Sequence, residues 1–458
     1  MSPNPPTPTS TDRRFRRGLI AVIVALVVVA GSLGAVSVLQ GPKIEGSQLN
    51  PAALAAGPGQ QLRLIANQAI APVSDRQVSV FPPATVTAQS QGDVIIIRFG
   101  GALNYATEYT VTVKGVTSSR GGAAATLRQT FRTPAFSFDY LVRGADDDKI
   151  VKATVGTVKR TVVYEAPHIE DFVPIAGALV LVSDADGGGN QIDIVQPGQP
   201  QAETLALPDV GTVNAITAVG TTILFTLTSL TANPVPKYNE NLFKVDLTAN
   251  HLPTAVLGID KQPLHVNAWR AIPGTTSVLL DDIGDVLRYD PTATTPPTFV
   301  ASYPDLGGLS PDAALLGVTN PSGPYVLDLA TAKTVFVPGS PIKGAASTFV
   351  EDVLPLTTKL TLERVAVPAK RDFKVVIASD DGTTGKILYQ PQGDNPGILS
   401  YTATSNGRYL IVESIPDTTN PVSDGAVTNP RPKSVIIDVI ELDSGLVDTE
   451  VAGFDPRW

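Results

Sequence analysis

The chain has 458 residues, 43% of them hydrophobic and 17% charged, which gives room for two or three domains and is too apolar for a disordered protein. Its net charge is −9 at pH 7, and because residues 1–39 carry +3, the remainder carries −12, which argues against nucleic acid binding. Cysteine is absent, which excludes disulfides, thiol nucleophiles and cysteine-ligated zinc, and three histidines argue against a histidine-rich metal site.

The first distinctive segment is an uncharged run of 21 residues, 19–39, directly behind a cluster of arginines. As a helix it would span ~32 Å, about the thickness of a bilayer's hydrocarbon core. It predicts a single transmembrane helix, with a disordered cytoplasmic tail over residues 1–18 and the later domains outside the cell. A cleaved signal peptide with a cleavage box at Ala35 and Ser37 is the alternative, but its apolar region would be about 7–15 residues. The arginines are Arg13, Arg14, Arg16 and Arg17.

Residues 40–58 are predicted to be a linker with one helical turn at Pro51–Ala56, because small and polar residues dominate there. From residue 59 to residue 134, apolar and polar residues alternate between turn formers, which is the pattern of half-buried strands. Six or seven short strands in about 75 residues predict a β-sandwich. The predicted strands include Gln61–Ala66, Val78–Phe81, Val94–Phe99, Tyr109–Val113 and Thr126–Phe131.

The second half of this segment resembles the bacterial Ig-like domains found in S-layer (SbsA-like) and other envelope proteins. The similarity is carried by LNYATEYTVTVKGV at Leu103–Val116, by Gly121-Gly122, and by FRTP at Phe131–Pro134. The resemblance implies an Ig-like sandwich in which Tyr109 packs at a strand corner and Phe131–Pro134 ends the last strand. We interpret this domain as a spacer between the membrane and the rest of the chain.

Residues 135–458 contain a repeating unit of an apolar strand, a Gly/Asp-rich loop and a second apolar strand. The second strands begin 39 to 62 residues apart, close to the 40–50 residues of a four-stranded propeller blade. Seven units predict a β-propeller of seven blades, and six or eight blades would also fit. The predicted second strands begin at Ile150, Ile192, Leu242, Val286, Tyr325, Ile387 and Val435.

This part of the chain resembles the superfamily of TolB-like, YVTN-type and WD-repeat propellers. The similarity is carried by TSNGRYLIV at Thr404–Val412 and SDDGTTGKILY at Ser379–Tyr389. The Trp-Asp ending of WD repeats is missing, since Trp269 and Trp458 are the only tryptophans. The resemblance therefore implies an all-β propeller fold and carries over no active site.

Aspartates recur in the loops predicted to connect the second and third strands of the repeating units. Because such loops emerge on one face of a propeller, they predict an acidic face that binds a divalent cation, a cationic ligand or a basic partner. The alternative is that these residues only form turns, as aspartate and glycine do by their own chemistry. In Asp184–Asn190 (DADGGGN), alternating carboxylates resemble the start of a calcium loop, although no acidic residue closes it. The predicted ligand-binding residues are Asp146, Asp147, Asp148, Asp184, Asp186, Asp281, Asp282, Asp285, Asp380 and Asp381.

These patterns favour a binding or scaffold protein of the bacterial cell envelope over an enzyme. No histidine accompanies a G-x-S-x-G elbow, so no catalytic residue is assigned, and calcium is the only cofactor considered. The expected partners are the cell membrane, through residues 19–39, and a protein or envelope polymer. The alternative is a propeller hydrolase or lyase that acts on envelope glycan through paired carboxylates, which spacing alone neither supports nor excludes.

Overall fold

The computed structural model divides the chain into two compact units that consist almost entirely of β-strands. Of the described residues, the first unit holds those up to 51 together with 59–100 and 108–132, and the second holds those in 52–58, 101–107 and 133–458. The predicted all-β class is confirmed. The described residues are 18–26, 41–175, 177–196, 201–231, 235–343, 348–368, 373–419, 421–426 and 430–458.

The predicted membrane span lies mostly outside the described residues. Residues 18–26 form a helix, α1, with exposed side chains, whereas residues 27–40 are not described. Within the described part of the chain, no helix is long and apolar enough to cross a membrane. The transmembrane helix over 19–39 therefore stays a prediction.

Seven strands of the first unit form two antiparallel sheets. The strands are β1 (Ile44–Gln48), β2 (Gln61–Ala66), β3 (Val78–Phe81), β4 (Val86–Gln91), β5 (Val94–Phe99), β6 (Glu108–Val116) and β7 (Ala125–Arg132). One sheet has the order β1-β2-β5-β4 and the other β3-β6-β7, and a 3₁₀ turn at Asp75–Gln77 precedes β3. All five strands named from the sequence are present, with ends that differ by at most three residues.

The core of the first unit lies between these two sheets. β2 and β5 bury every second residue, as the alternating pattern predicts. Phe99 of β5 meets Phe131 of β7 edge-on, with ring centroids 6.4 Å apart, and Tyr109 of β6 stacks on Phe131 at 5.8 Å. The two sheets therefore face each other as a sandwich, while the S-layer-type Ig-like resemblance stays a prediction.

The predicted linker over 40–58 differs from the structure. β1 pairs antiparallel with β2 at the edge of its sheet, and a helix, α2, spans Pro51–Ala56 as predicted. The strand IEGSQ contains one strongly apolar residue, Ile44, so it gives no two-residue hydrophobic alternation. Its pairing depends on main-chain hydrogen bonds at an open sheet edge, which sequence patterning does not reveal.

The second unit contains, within the described residues, seven four-stranded antiparallel sheets. Sheet 1 joins β8 (Ser137–Val142), β9 (Asp148–Thr154) and β10 (Arg160–Ala166) to β35 (Phe454–Arg457), in the order β10-β9-β8-β35. Sheets 2 to 7 are each built from four consecutive strands. They are β11 (Ile169–Ile175), β12 (Ala178–Asp184), β13 (Asn190–Val195) and β14 (Glu203–Thr204); β15 (Gly211–Val219), β16 (Thr222–Ser229), β17 (Asn241–Asp246) and β18 (Thr254–Ala255); β19 (Ala268–Ala271), β20 (Val278–Asp282), β21 (Asp285–Tyr289) and β22 (Thr298–Ser302); β23 (Asp305–Leu309), β24 (Leu315–Asn320), β25 (Gly323–Asp328) and β26 (Thr334–Phe336); β27 (Phe349–Pro355), β28 (Thr361–Pro368), β29 (Phe373–Asp380) and β30 (Gly385–Tyr389); and β31 (Gly397–Ala403), β32 (Tyr409–Ile415), β33 (Ile436–Glu441) and β34 (Leu446–Ala452).

These sheets pack against one another in chain order, and sheet 7 packs against sheet 1. Because each sheet is covered on both sides, a second strand can be apolar on both faces. β16, TILFTLTS, buries six residues in succession where a half-exposed strand would bury every second one. A closed series of four-stranded sheets is the architecture of a β-propeller.

The series is closed by β35, which pairs antiparallel with β8. Phe454 is buried with Phe172 and other apolar residues of sheets 1 and 2. Arg457 lies 3.2 Å from the Asp171 carboxylate, and Asp455 forms an ion pair with Arg431. Backbone pairing, one buried ring and two ion pairs therefore hold the closing strand in place.

The predicted second strands of the repeating units occupy the third position in their sheets, with one exception. Ile387 lies in β30, the fourth strand of sheet 6, so the repeat was assigned one strand late there. The neighbouring strands β29 and β30 have similar apolar patterns. The 12-residue connection 337–348 also lengthens the distance from the preceding repeating unit. Apolar content alone did not distinguish the two strands.

The predicted boundary between the domains also changes, because residues 101–107 belong to the second unit. The Leu103 N–H donates to the carbonyl of Leu54 at 2.7 Å, and the Tyr105 ring lies 5.0 Å from that of Phe136. Leu54, Leu103 and Tyr105 are all buried. The predicted sandwich over 59–134 thus contains a segment whose apolar side chains pack into the core of the second unit.

Sheets 5 and 6 approach each other closely because glycines lie between them. A Cβ on Gly317 of β24 would lie 1.8 Å from the carbonyl oxygen of Val353 on β27, and one on Gly308 would lie 2.4 Å from Leu354. The backbones of these strands therefore lie in direct van der Waals contact at this point.

Candidate functional site

The predicted acidic residues are not all on one face. In each four-stranded antiparallel sheet, the second-to-third connections and the connections to the next sheet leave by one edge, here the long-loop face. The first-to-second and third-to-fourth turns leave by the opposite edge, here the turn face. Asp380 and Asp381 follow the third strand β29 and lie at the turn face, which corrects their predicted placement. The eight other predicted aspartates lie in second-to-third connections or at their ends.

Two of those eight are buried and have structural partners. Asp148 accepts a hydrogen bond from the Ile169 N–H at 2.9 Å and pairs with Arg143 at 2.6 Å. Asp281, 2% exposed, accepts the Gly284 N–H at 2.9 Å and closes the turn between β20 and β21. The turn-forming alternative is therefore the better account of these two carboxylates.

The other six aspartates reach solvent to different degrees. Asp146, Asp184 and Asp186 are exposed, and Asp147, Asp282 and Asp285 are half-buried. Burial raises the pKa of Asp282, and the nearby His265 opposes that shift. Among the described residues, no group of three histidine or acidic side chains lies close enough to hold a metal ion. Calcium binding at Asp184–Asn190 remains a prediction.

The long-loop face also exposes large apolar side chains that the sequence analysis missed. Ile283, 74% exposed, has φ +51, a backbone region that a β-branched residue rarely adopts. The Leu230 N–H donates to the Val210 carbonyl at 3.0 Å, which places these two exposed residues side by side. The sequence signal that could have revealed these residues is an isolated apolar residue in a polar loop. The exposed apolar residues of this face are Val210, Leu230, Val235, Ile283, Phe349, Phe373 and Val422.

A cavity of about 530 Å³ lies at the turn face, between sheets 5 and 6. One wall is the face of sheet 5 formed by Leu315, Val326 and Val335, which the strand register places on the same side as Gly317. Its volume falls in the range of ~300–1,000 Å³ that small-molecule sites occupy.

The floor of this cavity carries two neighbouring carboxyl groups. Glu363 of β28 is 2% exposed, and it hydrogen-bonds to Asp380 and accepts the Thr361 hydroxyl at 3.2 Å. Asp380 accepts the N–H groups of Ser340 at 2.6 Å and Gly382 at 2.7 Å. Burial first, then the nearby Asp380 carboxylate, raises the pKa of Glu363 to about 7. At neutral pH Glu363 is therefore divided between its protonated and its ionised form.

The charges at the rim of the cavity balance one another. Lys333 and Asp328 come from the turn after β25, Lys359 from the turn after β27, and Asp381 from the turn after β29. Hydrogen bonds from the Thr383 hydroxyl and the Thr384 N–H lower the pKa of Asp381 to about 2, so it is ionised. The net charge of the lining therefore comes from the carboxyl pair on the floor.

Comparison with solved structures finds neighbours among propeller proteins. TolB from Acinetobacter baumannii is 11% identical, with 78% of this chain and 80% of that chain covered and a TM-score of 0.34. The β-propeller domain of the Trilobed protease from Pyrococcus furiosus is 10% identical, with 85% and 98% covered and a TM-score of 0.29. An oligogalacturonate lyase in complex with manganese is 12% identical, with 68% and 95% covered and a TM-score of 0.39.

The class of protein is thus all-β, with a second unit of β-propeller architecture. No family model matches the chain, and no curated protein matches it. At these identities and TM-scores, no activity or residue role is carried over from the neighbours.

Proposed function

We propose that this protein is a membrane-anchored, extracytoplasmic binding protein of the bacterial cell envelope. Its seven four-stranded sheets would act as seven blades of one propeller, the first unit would be an Ig-like spacer, and residues 19–39 would form the anchor. The long-loop face would dock a basic protein partner. One observation carries the docking proposal: exposed carboxylates and exposed apolar side chains occur together in the loops of that face.

Both components of this surface suit protein recognition. Exposed apolar residues supply the desolvated centre of an interface, and carboxylates at the rim steer a partner of opposite charge. Ile283 supports the proposal because a β-branched residue at positive φ is strained, and such strain concentrates at functional sites. The net charge of −12 beyond residue 39 favours a basic partner over nucleic acid or anionic lipid.

A hydrolase or lyase acting on glycan receives less support. Two-carboxylate glycosidases keep the carboxyl groups about 5–5.5 Å apart for retention or about 6.5–9.5 Å apart for inversion. The Asp380 carboxylate is a close neighbour of Glu363 and contributes to its raised pKa, and at 2% and 3% exposure neither carboxyl group faces an open glycan cleft. Binding is therefore proposed in preference to hydrolysis.

Removal of residues 1–40 is expected to move the protein from the membrane fraction to the soluble fraction, because the uncharged run would be lost. Fractionation followed by immunoblotting measures the change, and deletion of residues 2–12 alone serves as the control. Protease added outside intact cells should degrade the β-rich units of the full chain. Full-length protein in the soluble fraction, or β-rich units protected from outside protease, would contradict the anchor and its orientation.

Replacing Asp146, Asp147, Asp184 and Asp186 with Asn is expected to weaken partner capture about tenfold, since each exposed charge pair contributes roughly 0.2–1 kcal/mol. Capture from envelope extract, quantified for the same bound protein at ~0.1 M and ~1 M salt, measures the effect, which should vanish at the higher salt. A matched variant carries four Asp→Asn changes at exposed turn-face positions. If partner capture weakens equally in both variants, the effect is due to net charge alone. If capture weakens in neither variant, these aspartates serve only as turn residues. The control positions are Asp246, Asp312, Asp381 and Asp443.

A further inference from the structure

The cavity between sheets 5 and 6 lies at the turn face, on the opposite edge of the second unit from the proposed docking surface. Three of its features are independent of that surface: a floor with two hydrogen-bonded carboxyl groups, an apolar wall, and a rim whose charges balance. Together they define what kind of molecule would fit.

The floor selects for positive charge. Glu363 is almost fully buried, and the two oxygens of Asp380 each accept a backbone N–H, which holds that carboxylate in place. While the pair keeps its proton, only one of its two negative charges is present. Loss of that proton would place two like charges side by side in a buried site, which is unfavourable. A cation with N–H groups can replace that proton and donate to both carboxylates at once.

The wall selects for an apolar body. Leu315, Val326 and Val335 line one side, and the Val335 side chain is 67% exposed. A ligand that covers these side chains gains about 25 cal/mol of binding free energy for each Å² of apolar surface it removes from water. A simple metal ion would leave this wall uncovered, so the walls and the floor point to one organic molecule.

We propose that this cavity binds a small organic cation, a primary ammonium group on an aliphatic or cyclic apolar body, with the ammonium held by Glu363 and Asp380. The ammonium donates hydrogen bonds to both carboxylates, and the proton that Glu363 shared with Asp380 passes to solvent. The apolar body covers Leu315, Val326 and Val335. Lys333 and Lys359 are balanced by Asp328 and Asp381, so the rim offers no net negative charge to a second cationic group.

Affinity should depend on pH in a defined direction. Because the pKa of Glu363 is raised to about 7, most of the pair holds its proton below that pH, and the ligand must displace it. Affinity is expected to fall about tenfold for each pH unit below about 7 and to level off near pH 8. The charged groups around Glu363 on the packed elements are Asp380, Asp381, Asp328, Lys333 and Lys359.

Calorimetric titration of the full chain in matched detergent with cyclohexylammonium tests the proposal. Cyclohexanol keeps the apolar body without the charge, and tetramethylammonium keeps the charge without N–H donors. Binding of cyclohexylammonium at least tenfold tighter than both, with release of close to one proton at pH 6, is the expected result. Equal binding of cyclohexanol, or no binding of cyclohexylammonium at pH 8, would overturn the proposal.

The substitution Glu363→Gln should abolish the pH dependence and weaken binding at pH 8 about tenfold or more, while Asp312→Asn, an exposed change outside the cavity, should leave both unchanged. Thermal melts of each variant verify folding. If Glu363→Gln does not fold, the number of protons that the unmodified protein releases on binding cyclohexylammonium at pH 6 tests the proposal instead. A site that does not use this pair would release no proton. Retained pH dependence in a folded Glu363→Gln protein would also overturn the proposal.

Discussion

Deleting residues 454–458 is expected to abolish the cooperative unfolding transition of the second unit. The deletion removes the first strand of sheet 1 and leaves the edge of β8 unpaired. It also removes the buried Phe454 ring, a loss of about 3–5 kcal/mol by comparison with Phe→Ala changes in cores. Asp171 and Arg431 lose the charges that face them. Against a typical net stability of about 5–15 kcal/mol, the sum is large enough to prevent closure.

Circular dichroism during heating and urea titration measures this effect. Deletion of Trp458 alone is the control, because that side chain is 46% exposed and contacts Phe136 only by one edge-on ring pair at 5.7 Å. The control should lose no more than about 1 kcal/mol, in line with the worth of an aromatic pair. A truncated protein that melts at the temperature of the full chain would mean that β35 is dispensable for the ring.

Replacing Gly317 with Ala is expected to destabilise the second unit by about 3 kcal/mol or more. The new Cβ would lie 1.8 Å from the Val353 carbonyl oxygen, which is backbone and cannot rotate away. Sheets 5 and 6 would have to separate, and overpacking of this kind typically costs about 1–3 kcal/mol, occasionally more. The urea midpoint, with an unchanged slope, reports the loss.

Gly187→Ala is the matched control for this substitution. Gly187 lies in the loop between β12 and β13 with no atom within 4 Å of the position its Cβ would take. Its replacement should change the urea midpoint little. Should Gly317→Ala unfold at the same midpoint as this control, the close approach of sheets 5 and 6 would not matter to stability.

The sequence predicted the strands where burial imposes a pattern. β2 and β5 alternate because one face of each is buried, and β16 is a nearly continuous apolar run because both of its faces are covered. β1 and β35 escaped prediction for the opposite reason. IEGSQ and FDPR contain few apolar residues, and their place in a sheet depends on main-chain pairing with distant strands.

The candidate sites were less predictable because they depend on three-dimensional packing. Asp146 and Asp148 are two residues apart, yet one is exposed and the other is buried against Arg143. The pairing of Glu363 with Asp380 joins residues 17 positions apart through the register of β28 and β29. The cavity beside them is lined by residues of sheets 5 and 6 that only tertiary packing brings together, so no local motif records it.

The closing strand has a consequence for biosynthesis. β35 follows β8 by more than 300 residues in the chain, so a ribosome adding about 5–20 residues per second exposes the open edge of β8 for roughly 15–60 s before its partner emerges. An unpaired strand edge is a template for aggregation with other nascent chains. Production of soluble protein should therefore improve at low expression rates or with added chaperones, which shield that edge until translation has passed residue 457.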